Sequence, residues 1–290
     1  MQRIFNGTAI TAFANIDPKA DRALVTFANW AKNPPRKPVF PSLAAAYGMS
    51  YFGLVARQNH WWQTEEFPQA LLEIADLTRD RMEIVCFGTS MGATGALLAR
   101  RFIGSAFTLA VSPQYAITPQ VAPWEDRWRG IAAALPQIIR PDSPTNLCAR
   151  TAVLYDPFHR SDSRHVAHIA AGGPIVRLPL AFSDHAPLEQ IKAAGHLDAF
   201  TQAAIVANDM AQSRANVRSS RDANGNFGLH MWLRKTGHMP LHMRFAQIDA
   251  LSAAFPDNMD ITQEEARIMS RLTAHQRAHN LRAGQNGKAI

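Results

Sequence analysis

Short apolar runs punctuate the first 200 residues: Ala23–Phe27 (ALVTF), Phe52–Ala56 (FGLVA), Ile84–Phe87, Ala106–Val111 (AFTLAV), Thr151–Tyr155 (TAVLY) and Ile175–Leu178. Each is too short for a helix and has no polar alternation, the pattern of a strand buried on both faces. Stretches of helical spacing separate them. Phe67–Leu77 places Leu71, Leu72, Ile74 and Leu77 near one face, and Ala93–Ala99 is a run of small and apolar residues. Further helices are predicted over Asp126–Ile139, Arg164–Ala171 (ended by Gly172-Gly173) and Pro187–Phe200. Ile4–Phe13 alternates weakly and predicts an edge hairpin before the turn Asp17-Pro18-Lys19. Pro34, Pro35, Pro38 and Pro41 keep Ala28–Ser42 a loop. Strands alternating with helices predict an α/β domain: a mainly parallel twisted sheet with helices on both faces. Right-handed crossovers then bring the carboxyl ends of the strands, and the loops after them, to one edge.

After Phe200 the strand-like runs stop. Thr201–Val217, Gly237–Phe255 and Ile261–Leu281 read as helices, Ser219–Gly228 as a loop and Gly284–Ile290 as a fraying end. The predicted organisation is therefore a core domain over 1–200 and a helical C-terminal extension over 201–290. At 290 residues and 47% hydrophobic composition the chain can bury a sizeable core. No apolar run approaches the roughly 20 residues that span a bilayer. The N-terminus, MQRIFNGTAITAF, reads as a strand rather than a signal peptide. Two cysteines, Cys86 and Cys148, fit a reduced, cytoplasmic protein. The net charge of +7 admits acidic partners. However, Arg267, Arg271, Arg277 and Arg282 spread around a helix that opens with glutamates, which argues against a nucleic-acid partner. Nothing in the sequence encodes an oligomeric state.

The densest chemistry lies at Gly88-Thr89-Ser90-Met91-Gly92, where an apolar strand meets a small-residue helix. G-x-S-x-G in that setting is a nucleophile elbow. The serine sits on a strained turn, and the glycines leave room for the neighbouring strand and helix. The turn also directs the first N–H groups of the helix toward whatever approaches the hydroxyl. Neither GxGxxG nor GxxxxGK[ST] occurs, so a phosphate-binding loop is the weaker reading.

The elbow, an acid after a late strand and a histidine after the last strand together resemble the α/β-hydrolase superfamily over roughly Ala23 to Phe200. More loosely, Asn59-His60-Trp61-Trp62, Ser112-Pro113-Gln114-Tyr115 and Tyr155-Asp156-Pro157 resemble bacterial hydrolase-like proteins linked to surface-polysaccharide assembly. The first resemblance implies a Ser-acid-His order with Ser90 as nucleophile and His185 as base; His60, at another strand end, is the runner-up. For the acid it favours Asp156, at the end of Thr151–Tyr155 and about 29 residues before His185, an interval usual in the superfamily. Asp162, further along the same loop, is the alternative; Asp184 is too close in sequence to orient the ring well. The implied oxyanion hole uses the Met91 amide and a donor after the first strand, Ala28 or Asn29. No HGGG-type run follows Phe27, so the Asn29 side chain is a substitute donor.

Trp30, Asn59, Trp61, Trp62 and Tyr115 fall at the same sheet edge and are candidate substrate contacts, with core packing an equal alternative for the Trp61-Trp62 pair. Asp162, His165 and His168 share one face of a helix, but a solvated face is favoured over a metal site. His238 and His242 lack the glutamate of HExxH, so no metal is expected. The implied activity is hydrolysis or acyl transfer at an ester or thioester, on a small-molecule or saccharide ester, without a cofactor. The short insert between Val111 and Thr151 leaves little lid, which argues against interfacial lipases. The alternative is a binding protein that keeps the fold without catalysis.

Overall fold

The computed structural model describes residues 1–34, 37–78, 82–135 and 150–286. The chain opens with β1 (Gln2–Asn6), β2 (Ile10–Asn15), β3 (Arg22–Phe27), α1 (Pro41–Ala46), β4 (Ser50–Ala56) and α2 (Glu66–Thr78). The elbow segment follows as β5 (Glu83–Thr89) and α3 (Met91–Ala99), then β6 (Ser105–Val111) and the short α4 (Arg129–Ala132). Next come β7 (Thr151–Tyr155), α5 (Arg160–Ala171) and β8 (Val176–Pro179). The eight strands form one sheet in the order β1-β2-β4-β3-β5-β6-β7-β8. β1, β2 and β4 pair antiparallel; every other pairing is parallel. The expected hairpin at the edge and the mainly parallel sheet are both present.

The apolar runs are buried on both sides because alternate residues serve opposite faces. Ile84 and Cys86 of β5 join Val25, Phe27 and Phe52 in one core layer, packed with Phe67, Leu71 and Ile74 of α2. Val85 and Phe87 point the other way, into a layer with Leu24, Leu109 and Leu154. The face of α2 differs slightly from its periodicity: Phe67, Ala70, Leu71 and Ile74 are buried, whereas Leu72 and Leu77 are exposed. The turn between β1 and β2 is pinned to the start of α2 by Glu66. Its carboxylate accepts from the Thr8, Ala9 and Ile10 amides at 2.7–2.9 Å.

Two compact units divide the chain, Met1–Ser220 and Arg221–Ile290. The first extends past the expected boundary at Phe200 because Phe200, Ala204, Ile205 and Val217 complete the second core layer. They lie on α7 (Leu197–Thr201), a π-helical turn (Gln202–Val206) and α8 (Met210–Asp222), which follow α6 (Pro187–Ala193). The helix expected over Pro187–Phe200 breaks between α6 and α7 at Gly195, whose φ of +76° favours glycine. The expected loop Ser219–Gly228 is largely helical. α8 runs to Asp222 and α9 starts at Gly225, capped by Asn224, which accepts from the Asn226 and Phe227 amides. The second unit is α9 (Gly225–Thr236), α10 (Leu241–Ala254) and α11 (Met259–Asn286) around Trp232, Ile248, Ile261 and Ile268. Of the helix expected over Asp126–Ile139, residues 126–135 are described and only Arg129–Ala132 (α4) is helical; its end and Cys148 lie outside the described residues. Among the described residues no helix is long and apolar enough to cross a membrane.

Candidate active site

Ser90 ends the elbow at φ 52° and ψ −122°, a strained backbone for a residue with a Cβ. Its amide donates to Val111 O at 2.8 Å, and its carbonyl accepts from the Ala93 and Thr94 amides. The flanking glycines allow the turn. A Cβ on Gly88 would lie 2.2 Å from Gly92 O, and one on Gly92 would lie 2.2 Å from Phe27 O. α3 is buried along its whole length, and its small residues admit Trp62, whose indole donates to Met91 O at 3.0 Å.

His185 lies on the loop after β8. Its Nε2 is 2.9 Å from Ser90 Oγ, and its Nδ1 is 2.6 Å from Asp162 Oδ2. A carboxylate only accepts, so Nδ1 carries the proton and Nε2 is free to accept one from Ser90. His60 is elsewhere: its Nδ1 accepts from the Trp62 amide and its Nε2 faces Ala9 O.

Asp156, expected as the partner of His185, is engaged elsewhere, and Asp162 takes that place. Asp156 Oδ1 accepts from the Phe158 amide and Oδ2 from the Asp184 amide, both at 2.8 Å. Asp156 is thus spent on shaping its own turn and on fastening the His185 loop. Asp162 is not on a loop at all. It sits in the first turn of α5, where its amide donates to Nδ1 of the N-cap His159. A helix start fixes a carboxylate as firmly as a strand end does, and this one points to the imidazole. Burial alone would raise the Asp162 carboxyl. The hydrogen bond and charge of His185, with the charges of Arg127 and His159, hold it below the usual carboxylate range.

Behind Asp162 lies a cluster for which the sequence offers no local signal. Arg127 Nη2 bonds Asp162 Oδ1 at 3.1 Å and Glu125 Oε2 at 2.6 Å, while its Nε donates to Glu125 Oε1 at 2.9 Å. Glu125 Oε2 also accepts from His165 Nε2 at 2.9 Å, and both side chains are fully buried. Burial would raise Glu125, but the bonds from Arg127 and His165 bring it down to about 2. Burial also lowers His165, whose Nδ1 accepts from the Tyr115 amide. His168 stacks on Trp124 at 4.8 Å. Asp162 and His165 are thus both taken up in the Arg127–Glu125 cluster and His168 packs on Trp124; no metal-holding group of three occurs among the described residues.

Met91 opens α3, so its amide is among the first-turn donors without an intrahelical acceptor. Ala28 is corrected as an oxyanion candidate, because its amide donates to Leu54 O at 3.0 Å, continuing the β3–β4 ladder. Asn29 borders the cavity over Ser90, and its Oδ1 is buried without a hydrogen-bond partner among the described residues. That cavity holds about 530 Å³ and is walled mainly by Trp30, Phe40, Val111, Trp128, Leu188 and Leu197, with Lys192 and Glu189 also lining it.

Of the five candidate substrate contacts, only Trp30 borders this cavity. Trp61 and Trp62 are 2% and 0% exposed and belong to the core. Trp61 donates to Gln114 Oε1 and packs on Trp128. Asn59 is occupied with Ala31, accepting from its amide and donating to its carbonyl. Tyr115 is buried, its amide on His165. Trp128, a wall that sequence reasoning did not select, carries the aromatic contact between Trp30 and Trp61. Gln114, fully buried, places its amide nitrogen 3.4 Å from Ser90 Oγ; the Ser112–Tyr115 motif was its only trace in the sequence.

No family model matches the sequence, and no curated protein matches it. Among solved structures, the chain is similar to the capsule O-acetyltransferase of Neisseria meningitidis serogroup A. The TM-score is 0.53 at 12% identity, over 70% of this chain and 93% of that one. An esterase from the Planctomycetes species Thermogutta terrifontis overlaps at a TM-score of 0.47 and 13% identity, over 69% of this chain and 90% of its own. The esterase domain of a Rhodothermus marinus protein gives 0.40 and 10%, over 78% and 92%. Sheet order, elbow and the first of these overlaps agree: the chain has the α/β-hydrolase fold, with a helical C-terminal unit.

Proposed function

We propose that the protein is a serine acyl-transfer enzyme acting on an ester or thioester, with Ser90 as nucleophile, His185 as base and Asp162 as the orienting acid. One observation carries this reading: the unbroken line from Asp162 Oδ2 through His185 to Ser90 Oγ, at 2.6 and 2.9 Å, on a strained elbow. Ser90 Oγ attacks the carbonyl carbon while His185 Nε2 takes its proton. The carbonyl oxygen becomes an oxyanion facing the Met91 amide and Asn29. On collapse the bond to the leaving oxygen or sulfur breaks, and His185 returns the proton to it. An acceptor hydroxyl then repeats the sequence in reverse and releases Ser90. Asp162 holds the imidazole in the Nδ1–H tautomer throughout.

The apolar walls of the cavity suit the acyl side of the substrate. The acceptor is water in a hydrolase and a sugar hydroxyl in a transferase. A saccharide acceptor is our preference, in keeping with the name of the capsule O-acetyltransferase that shares the fold. The alternative of a non-catalytic binding protein has little support from a site in which serine, histidine and carboxylate are within hydrogen-bond reach. A fluorophosphonate probe is expected to label the wild type and not Ser90→Ala. Labelling of both, or of neither, overturns the reading. Release of acetate from acetyl esters with and without added oligosaccharide then separates hydrolysis from transfer.

A further inference from the structure

The proposed chemistry uses Ser90, His185 and Asp162, but leaves unexplained why an arginine that reaches solvent also touches the buried acid. Arg127 lies between two fully buried carboxylates, Glu125 and Asp162. Glu125 grips it at two points, Nε and Nη2, which fixes the plane of the guanidinium. Glu125 is itself held by His165, and His165 by the Tyr115 amide. The remaining Nη2 contact goes to Asp162 Oδ1, the oxygen that His185 does not use.

We propose that Arg127 is a positioning residue: clamped by Glu125 and His165, it fixes the Asp162 carboxylate so that Oδ2 faces His185 Nδ1. The proposal rests on the acyl-transfer reading for its kinetic consequence but not for its structural one. The terminal torsion of an aspartate is broad. One hydrogen bond to His185 leaves the carboxylate free to rock, whereas partners on both oxygens remove that freedom. The charged groups facing Asp162 are His185, Arg127 and His159, with Glu125 and His165 behind the guanidinium. Removing Arg127 takes away a cation, so protonation of the His185–Asp162 pair becomes easier. A lysine restores the charge but not the two-point fork. Trp128, the next residue, walls the cavity, so one short segment supports both the acid and the substrate space.

The test compares full-length wild type with Arg127→Met and Arg127→Lys. The first readout is kcat and KM on p-nitrophenyl acetate across pH. The second is the fraction of the His185 ring in the Nδ1–H tautomer, read from ring ¹⁵N shifts that are lost in His185→Gln. Arg127→Met is expected to lower kcat about 10- to 100-fold, the scale of a misplaced catalytic group, with KM little changed. The acid limb of kcat/KM, which belongs to the pair as a unit, moves to higher pH. The Nδ1–H fraction falls, and Arg127→Lys recovers part of each loss. Wild-type tautomer content and an unmoved acid limb in Arg127→Met overturn the proposal, whatever the rate. If that variant does not fold, Arg127→Lys decides: behaviour identical to wild type in both readouts overturns it. If the wild type neither turns over ester nor takes a fluorophosphonate, the acyl-transfer reading falls, while the tautomer measurement still decides the role of Arg127.

Discussion

Asp156 and Asp162 have the same side chain and six residues of separation, yet their surroundings give them different work. Asp156 accepts two backbone amides, one of them from Asp184 in the His185 loop. Asp162 accepts from an imidazole and a guanidinium. Asp162→Asn is therefore expected to lower kcat by up to about 10⁴-fold through the wrong imidazole tautomer. Asp156→Asn keeps one oxygen acceptor and is expected to cost about tenfold or less, the scale of a shifted loop rather than a lost base. Steady-state kinetics of the two variants check this, and a larger loss in Asp156→Asn contradicts the assignment. The meeting of Ser90 and His185 at one sheet edge was legible because each has a local signature, a GxSxG turn and a histidine after the last strand. The carboxylate that meets His185 had no such signature. In the sequence Asp162 reads as part of the loop after Thr151–Tyr155, but α5 starts before it. The roles of Arg127 and Glu125 were illegible because, beyond their own pair, they reach Asp162 and His165, 35 and 40 residues away.

Among the elements, the β5–α3 elbow is where the sequence and the fold agree most closely. Its glycines face backbone rather than flexible side chains: Gly92 meets Phe27 O, and Gly88 meets Gly92 O. Gly92→Ala must push β3 and α3 apart and is expected to destabilise by at least about 1–3 kcal/mol, the ordinary cost of overpacking. It should also reduce labelling of Ser90. Thermal unfolding with fluorophosphonate labelling measures both; an unchanged midpoint contradicts the close approach. The tryptophan pair illustrates the opposite case. At a strand end Trp61 and Trp62 suit a binding platform or a core equally. The small residues of α3 decide it: a Cβ on Gly95 would lie 2.6 Å from Trp62 Nε1, so the indole fills the space that glycine leaves. Such a contact between distant segments has no periodicity to announce it.

For the whole molecule, acid sensitivity should reflect the buried cluster. The Glu125 carboxyl sits at about 2 in the fold against an ordinary 4.5. A lowered value means the contribution is complete above pH 4.5 and is lost as pH falls toward 2. Glu125→Gln is expected to be less stable than wild type at pH 7, on the order of 3 kcal/mol for a carboxyl lowered from 4.5 to about 2. The difference should narrow as pH falls through that window. Urea unfolding at a series of pH values checks the sign, and a gap that widens in acid contradicts it. The two-unit division was only partly legible. The loss of strand pattern after Phe200 was clear, but helices that complete a core read the same as helices of a separate unit. Ser90, His185, Asp162 and Arg127 all belong to Met1–Ser220, and the central claim concerns them alone. Its most direct test is rapid-quench peptide mass analysis during turnover of p-nitrophenyl acetate. The account predicts an acetyl group on the peptide carrying Ser90, formed in a burst and absent in Ser90→Ala. Ester turnover with no acetyl on Ser90, or with the acetyl on another residue, would contradict it.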